Sequence, residues 1–96
     1  MGTQFNVGSI MKVYKYEFNI SDKVIISMPM FARILTVQMQ GENLCIWAAV
    51  NPDSMFELRH LEIYGIGHEI EGYDGLIYIG TVQCGSLVFH IFERKF

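Results

Sequence analysis

Arg33–Val50 reads RILTVQMQGENLCIWAAV, and its two halves follow different rules. In the first half apolar and polar residues alternate. Leu35, Val37 and Met39 are expected on one face, and Ile34, Thr36, Gln38 and Gln40 on the other. Alternation with a period of two marks a half-buried strand. Gly41-Glu42-Asn43 reads as a short hairpin connection. The second half, LCIWAAV, is apolar on both faces. Such a strand is central in a layered fold, or is covered by another subunit. The stretch therefore predicts a hairpin with one strand at the heart of a β domain.

The same texture extends in both directions. KVYKYEFNI, residues 12–20, sets Tyr14, Tyr16, Phe18 and Ile20 on one face. Ser21-Asp22 makes a turn, and KVIISM follows as a β-branched strand that Pro29 ends or pushes to an edge. Downstream, Asn51-Pro52-Asp53-Ser54 has turn chemistry. FELRHLEIYGIG reads as a strand, although a turn of helix after an N-capping Ser54 competes for its start. EGYDG is a loop, GLIYIGTVQ and SLVFHIFE are two more strands, and Cys84-Gly85 is a tight turn between them. The chain is predicted to be all-β with little helix. Six or seven strands in meander succession would form a small antiparallel sandwich or partly closed barrel. Residues 1–10 lack periodicity and are expected to be a disordered leader, with residues 11–96 a single domain.

Composition narrows the function. The net charge is −3, and the seven Lys and Arg residues are scattered. A nucleic-acid polymer needs clustered cations, so this partner class is disfavoured. A small phosphorylated ligand needs only one or two cations and stays open. No apolar run approaches the roughly 20 residues that span a bilayer, and the N-terminus lacks signal-peptide character. The sequence thus points to the cytoplasm, where Cys45 and Cys84 would be reduced thiols.

Apolar residues exceed what one core layer can absorb. LVFHIF sets Leu87, Phe89 and Ile91 on one face and Val88, His90 and Phe92 on the other. A sandwich has only two inner surfaces. The surplus predicts a homo-oligomer, most simply a two-fold dimer. A curled sheet that covers these residues itself is the competing explanation.

The stretch most like a site is YGIGHEI, Tyr64–Ile70. Two glycines inside a strand mark a bulge or bend, which explains them without any function. Alternatively, Gly65 and Gly67 let backbone N–H groups approach an anion or a base edge, with His68 adding a hydrogen bond. Tyr64, Tyr73 and Tyr78 offer a stacking shelf, Arg59 or Arg33 a phosphate partner, and Gln38 a polar amide in an apolar setting. His60, His68 and His90 lack metal-ligand spacing, so neither a metal nor another cofactor is expected. Nothing joins a nucleophile to a base by spacing, so the reading is non-enzymatic.

MPMFARILTVQMQGENLCIWAAV, IYGIGHEI, YIGTVQ and LVFHIFE, in that order, resemble a family of small uncharacterised phage and prophage proteins. That family carries ILxVQxQ, LWAxV, GTGHxI, YIGTV and HVFE-like blocks. The resemblance spans about Met11 to Glu93, with Ile66 where the family more often has Thr and Phe89 where it has Trp. It implies an accessory protein that counters host defence by stoichiometric binding. The leading expectation is a homo-oligomer that sequesters a nucleotide-like signal at Tyr64, Gly65, Gly67, His68, Arg59, Gln38 and Tyr73. A direct inhibitor of a host protein is the alternative, and a small nucleotide hydrolase the third.

Overall fold

Among the described residues seven strands form where the alternation places them: β1 Lys12–Phe18, β2 Lys23–Pro29, β3 Arg33–Gln40, β4 Asn43–Val50, β5 Phe56–Gly65, β6 Leu76–Cys84 and β7 Leu87–Arg94. The computed structural model describes residues 10–96, so the expected leader lies outside the described residues except for Ile10. The helical turn after Ser54 does not form. Phe56 instead begins the ladder opposite Pro29 of β2. Among the described residues the one helical element is a 3-10 turn at Tyr73–Gly75, and no helix is long and apolar enough to cross a membrane.

Two antiparallel sheets, ordered β1-β4-β3 and β2-β5-β7-β6, make the sandwich. The meander succession is corrected: consecutive strands pair only in the hairpins β3–β4 and β6–β7. β4 is central in its sheet, as its two apolar faces required. Leu44 and Ile46 point inward, where Val37, Leu61, Ile63, Val82 and Ile91 meet them, while Ala48 packs with Met28, Ala32 and Val50 in a second cluster. Cys45 lies on the outer face of β4 yet is fully buried. Gln40 of β3 and Lys15 of β1 bond to each other beside it, and Cys45 Sγ donates to Gln40 Oε1 at 3.6 Å. Burial, reinforced by the nearby Glu17 charge, pushes the Cys45 thiol pKa up, so it stays protonated and unreactive.

One face assignment is reversed by a bulge. The β3–β4 register shifts between Ile34 and Thr36, which leaves Leu35 unpaired and exposed. Val37 and Met39 keep the core face, but Ile34 joins them there instead of Leu35. An inserted residue changes the phase of everything before it.

The sheets approach closely where β3 meets β6. A Cβ placed on Gly80 would stand 2.7 Å from Val37 Cγ1, closer than real Cβ contacts come. Val37 is itself buried and has little room to yield. Gly80→Ala should therefore cost about 1–3 kcal/mol through overpacking, measured by urea denaturation. A cost under about 0.5 kcal/mol, typical of neutral surface changes, would show that the sheets are not held at this spacing.

The connection from β5 to β6 positions the site. Both strands pair antiparallel with β7, one on each side, so they run parallel to each other. The chain must leave β5 at one end of β7 and return to start β6 at the other. Residues 66–75 make this crossing over the outer face of the four-stranded sheet. Phe92, on the outer face of β7, is thereby reduced to 8% exposure. Tyr73, Tyr64 and Tyr78 surround it edge-on, with ring centroids 6.2, 6.0 and 5.5 Å away. Part of the apolar surplus on β7 is thus covered by the chain's own crossover.

Candidate functional site

The crossover begins with a turn that only the two glycines permit. His68 N–H donates to Gly65 O at 3.3 Å, closing a four-residue turn, and Gly67 sits at its third position with φ 83°. A positive φ there is the requirement of a type II turn, and glycine meets it without strain. Gly65 has a different task. Its N–H donates to His68 Nδ1 at 3.2 Å, and a Cβ at this position would lie 3.0 Å from the imidazole. The missing side chain lets the ring fold back over the backbone. Because Nδ1 accepts, the neutral imidazole carries its proton on Nε2.

Beyond the turn, Arg94 clamps the crossover onto the sheet. Arg94 Nε donates to Glu62 Oε2 at 2.7 Å, and Nη2 donates to Glu62 Oε1 at 2.8 Å. The same guanidinium donates to the backbone oxygens of Glu71 and Gly72. Tyr64 O–H completes the shell by donating to Glu62 Oε1. The hydrogen bonds from Arg94 hold the Glu62 carboxyl below the ordinary carboxylate range, against the opposing effect of burial. The bond to Glu62 in turn raises the Tyr64 phenol pKa.

Around this clamp lies a cleft of about 380 Å³, lined by Lys23, Glu62, Tyr64, His68, Arg94 and the acidic residues Asp22, Glu69 and Glu71. Of the residues singled out from the sequence, Tyr64 and His68 meet here, with Gly65 and Gly67 shaping the turn beside it. Tyr73 packs on Phe92 further along the crossover. Arg59 and Gln38 are elsewhere. Arg59 shares the inner face with Leu61 and Ile63, where it donates to both Glu93 oxygens and, at 2.7 Å, to Ala32 O. Burial pushes the Glu93 carboxyl up, but the Arg59 bonds and charge outweigh it and hold the group below its ordinary value. Gln38 lies on the outer face of the other sheet, opposite Cys45.

The residues that organise the cleft, Glu62 and Arg94, are absent from the sequence-derived set. A signal for Glu62 existed: an acidic side chain set among apolar neighbours in mid-strand needs a cation. Nothing local names Arg94 as that cation. The three histidines also find separate neighbours. His60 packs edge-on to Phe96, His90 Nδ1 lies 2.9 Å from Thr81 Oγ1, and His68 is held by Gly65.

The family model described as a domain of unknown function, DUF7352, matches residues 10–96, nearly the whole chain. The chain belongs to the DUF7352 family. Its match takes in all seven strands and the whole crossover, so the clamp lies within the DUF7352 domain. No curated protein and no solved structure matches the chain.

Proposed function

We propose that this DUF7352 domain is a non-enzymatic binding protein that docks stoichiometrically onto another protein, in the manner of a small phage accessory factor acting on a host target in the cytoplasm. One observation carries the reading. Ile25, Leu58 and Phe56 form a diagonal apolar ladder on the outer face of β2 and β5, with Ile25 opposite His60 and Leu58 opposite Ser27, and they are 59, 63 and 62% exposed. β7 pairs with β5 only as far as His60, so beyond that point the ladder has no third strand beside it among the described residues. Contiguous exposed apolar surface of this kind marks interaction sites.

The neighbouring cleft sets the chemistry of the partner. Asp22, Glu62, Glu69 and Glu71 outnumber Lys23 and Arg94 there, and the chain carries a net charge of −3. A partner with an apolar centre and a Lys- or Arg-rich rim fits this surface. A nucleotide phosphate fits it poorly. It would meet four carboxylates and an Arg94 whose donors are already committed to Glu62, Glu71 and Gly72. Sequestration of a nucleotide-like signal is therefore the weaker of the two binding readings.

Native mass spectrometry of the protein recovered from phage-infected bacteria tests the choice. The wild type should carry one protein partner at a fixed ratio, and Leu58→Asp should lose it, a change of about 2 kcal/mol or more if Leu58 is an anchor. Leu58 is exposed, so the variant should melt like the wild type. A partner retained by Leu58→Asp would overturn the docking face. A partner-free protein that releases a nucleotide on denaturation would replace this function with sequestration.

A further inference from the structure

Four strands lie at sheet edges: β1, β3, β2 and β6. Three of them are blunted. β3 and β6 carry register shifts and lie against one another, while β2 ends in Pro29. Bulges, prolines and cover are the usual ways to keep an edge from pairing with another chain. β1 has none of these. Its ladder with β4 runs unbroken through seven residue pairs, from Lys12↔Val50 to Phe18↔Leu44. Among the described residues nothing pairs with its outer edge. The strand is also under-packed, with Val13 59% exposed and Tyr14 on the opposite face 37% exposed.

We propose that β1 is the homodimer interface: two copies pair their β1 strands antiparallel about a two-fold axis at Tyr16, joining two three-stranded sheets into one of six strands. The charges select this register. With Tyr16 opposite itself, Lys15 stands opposite Glu17 of the partner subunit, and Glu17 opposite Lys15 of the partner subunit. Tyr14 meets Phe18 of the partner subunit. Slipping the register one way sets Lys15 against Lys15 of the partner subunit. The other slip sets Glu17 against Glu17 of the partner subunit. Opposite charges and aromatic pairs stabilise cross-strand neighbours, whereas directly opposed like charges destabilise them.

Both charged groups reach solvent, and their intrachain bonds, Lys15 Nζ to Gln40 Oε1 and Asn43 Nδ2 to Glu17 Oε2, are exposed ones that cross-strand pairing would exchange or share. The Lys15 and Glu17 side chains are 42 and 43% exposed, and their own contact is a loose 3.9 Å. Lys15 thus guards the edge against indiscriminate pairing and admits only a strand that brings a carboxylate to the right position. The row Tyr14, Tyr16 and Phe18 lies on the core face, so pairing also extends the apolar layer across the two-fold axis. This interface uses a different strand from the Ile25–Leu58–Phe56 ladder, so each proposal stands or falls separately.

Analytical ultracentrifugation of the full chain over a concentration series tests the pairing. The wild type should be dimeric. Lys15→Glu and Glu17→Lys should each turn two attractive pairs per dimer repulsive and weaken association about tenfold or more. The double exchange Lys15→Glu/Glu17→Lys should restore it. Hydrogen exchange supplies a readout that needs no variant: in the dimer the outward-pointing amides of Lys12–Phe18 become protected as concentration rises. A monomeric wild type, a dimer that ignores the single reversals, a double exchange that fails to restore it, or unprotected outward amides would each overturn the proposal.

Discussion

Arg59→Ala should cost about 3–5 kcal/mol of folding stability, the range for removing one partner of a buried ion pair. Arg59 is 9% exposed and Glu93 6%, and no side chain but Arg59 donates a hydrogen bond to Glu93 among the described residues. Truncation would leave a buried carboxylate with only Lys95 nearby, at 3.7 Å, and would strip Ala32 O of its donor. A domain of this size has about 5–15 kcal/mol to lose, so the variant approaches the limit of folding. The pH dependence separates the charge from the packing. With Arg59 gone, only Lys95 opposes burial at Glu93, and its folded pKa should rise above the unfolded one. A group with a raised pKa contributes stability below its unfolded value, and that contribution is lost as pH rises through the folded value. The cost of Arg59→Ala should therefore shrink on acidification through the carboxylate range, near pH 4. Urea denaturation of both proteins at two pH values reads it. A cost independent of pH would assign the loss to packing alone.

The position of Arg59 also shows what is legible in this sequence. It is two residues before Leu61 and four before Ile63, so it shares their core face by simple parity, and Tyr64 lies on the other. The two could never have lined one site. Alternation likewise revealed the strands and the centrality of β4, because both are local properties of a period-two chain. The order of the strands was not local. Whether β5 pairs with β6 or reaches past β7 depends on contacts between distant segments. The bulge at Leu35 was hidden for a related reason: Ile34 and Leu35 are equally apolar, and only the partner strand reveals which is extra. At the site, Gly65 and Gly67 announced a turn through their own conformational needs. The clamp stayed invisible because Glu62 and Arg94 meet only through the register of β5 with β7.

That clamp predicts how the fold fails in acid. Arg94 depresses the Glu62 carboxyl pKa, and Tyr64 adds to the effect. A depressed pKa contributes stability above the unfolded value, about 4.3 for Glu. That stability is lost as pH falls through the lower folded value. Glu93 follows the same sign through Arg59, so both ion pairs weaken over the same interval below pH 4.3 or so. The consequences differ in space. Protonating Glu62 frees the guanidinium that holds the backbone of Glu71 and Gly72, so residues 66–75 lose their anchor to the outer face. Protonating Glu93 loosens the end of the core where Arg59 ties β5 to Ala32. Acid should therefore open the crossover first and then unfold the sandwich. Glu62 is the more dispensable of the two, because its clamp holds a loop while Glu93 sits between strands. Hydrogen exchange on descending pH, corrected for intrinsic rates, should show protection falling in residues 71–76 before it falls in β4 and β5. Carboxyl titration by NMR should place Glu62 below the ordinary range, and Arg94→Gln should bring it back up. Simultaneous loss of protection throughout, or an ordinary Glu62 titration in the wild type, would mean that Arg94 does not hold the crossover in place.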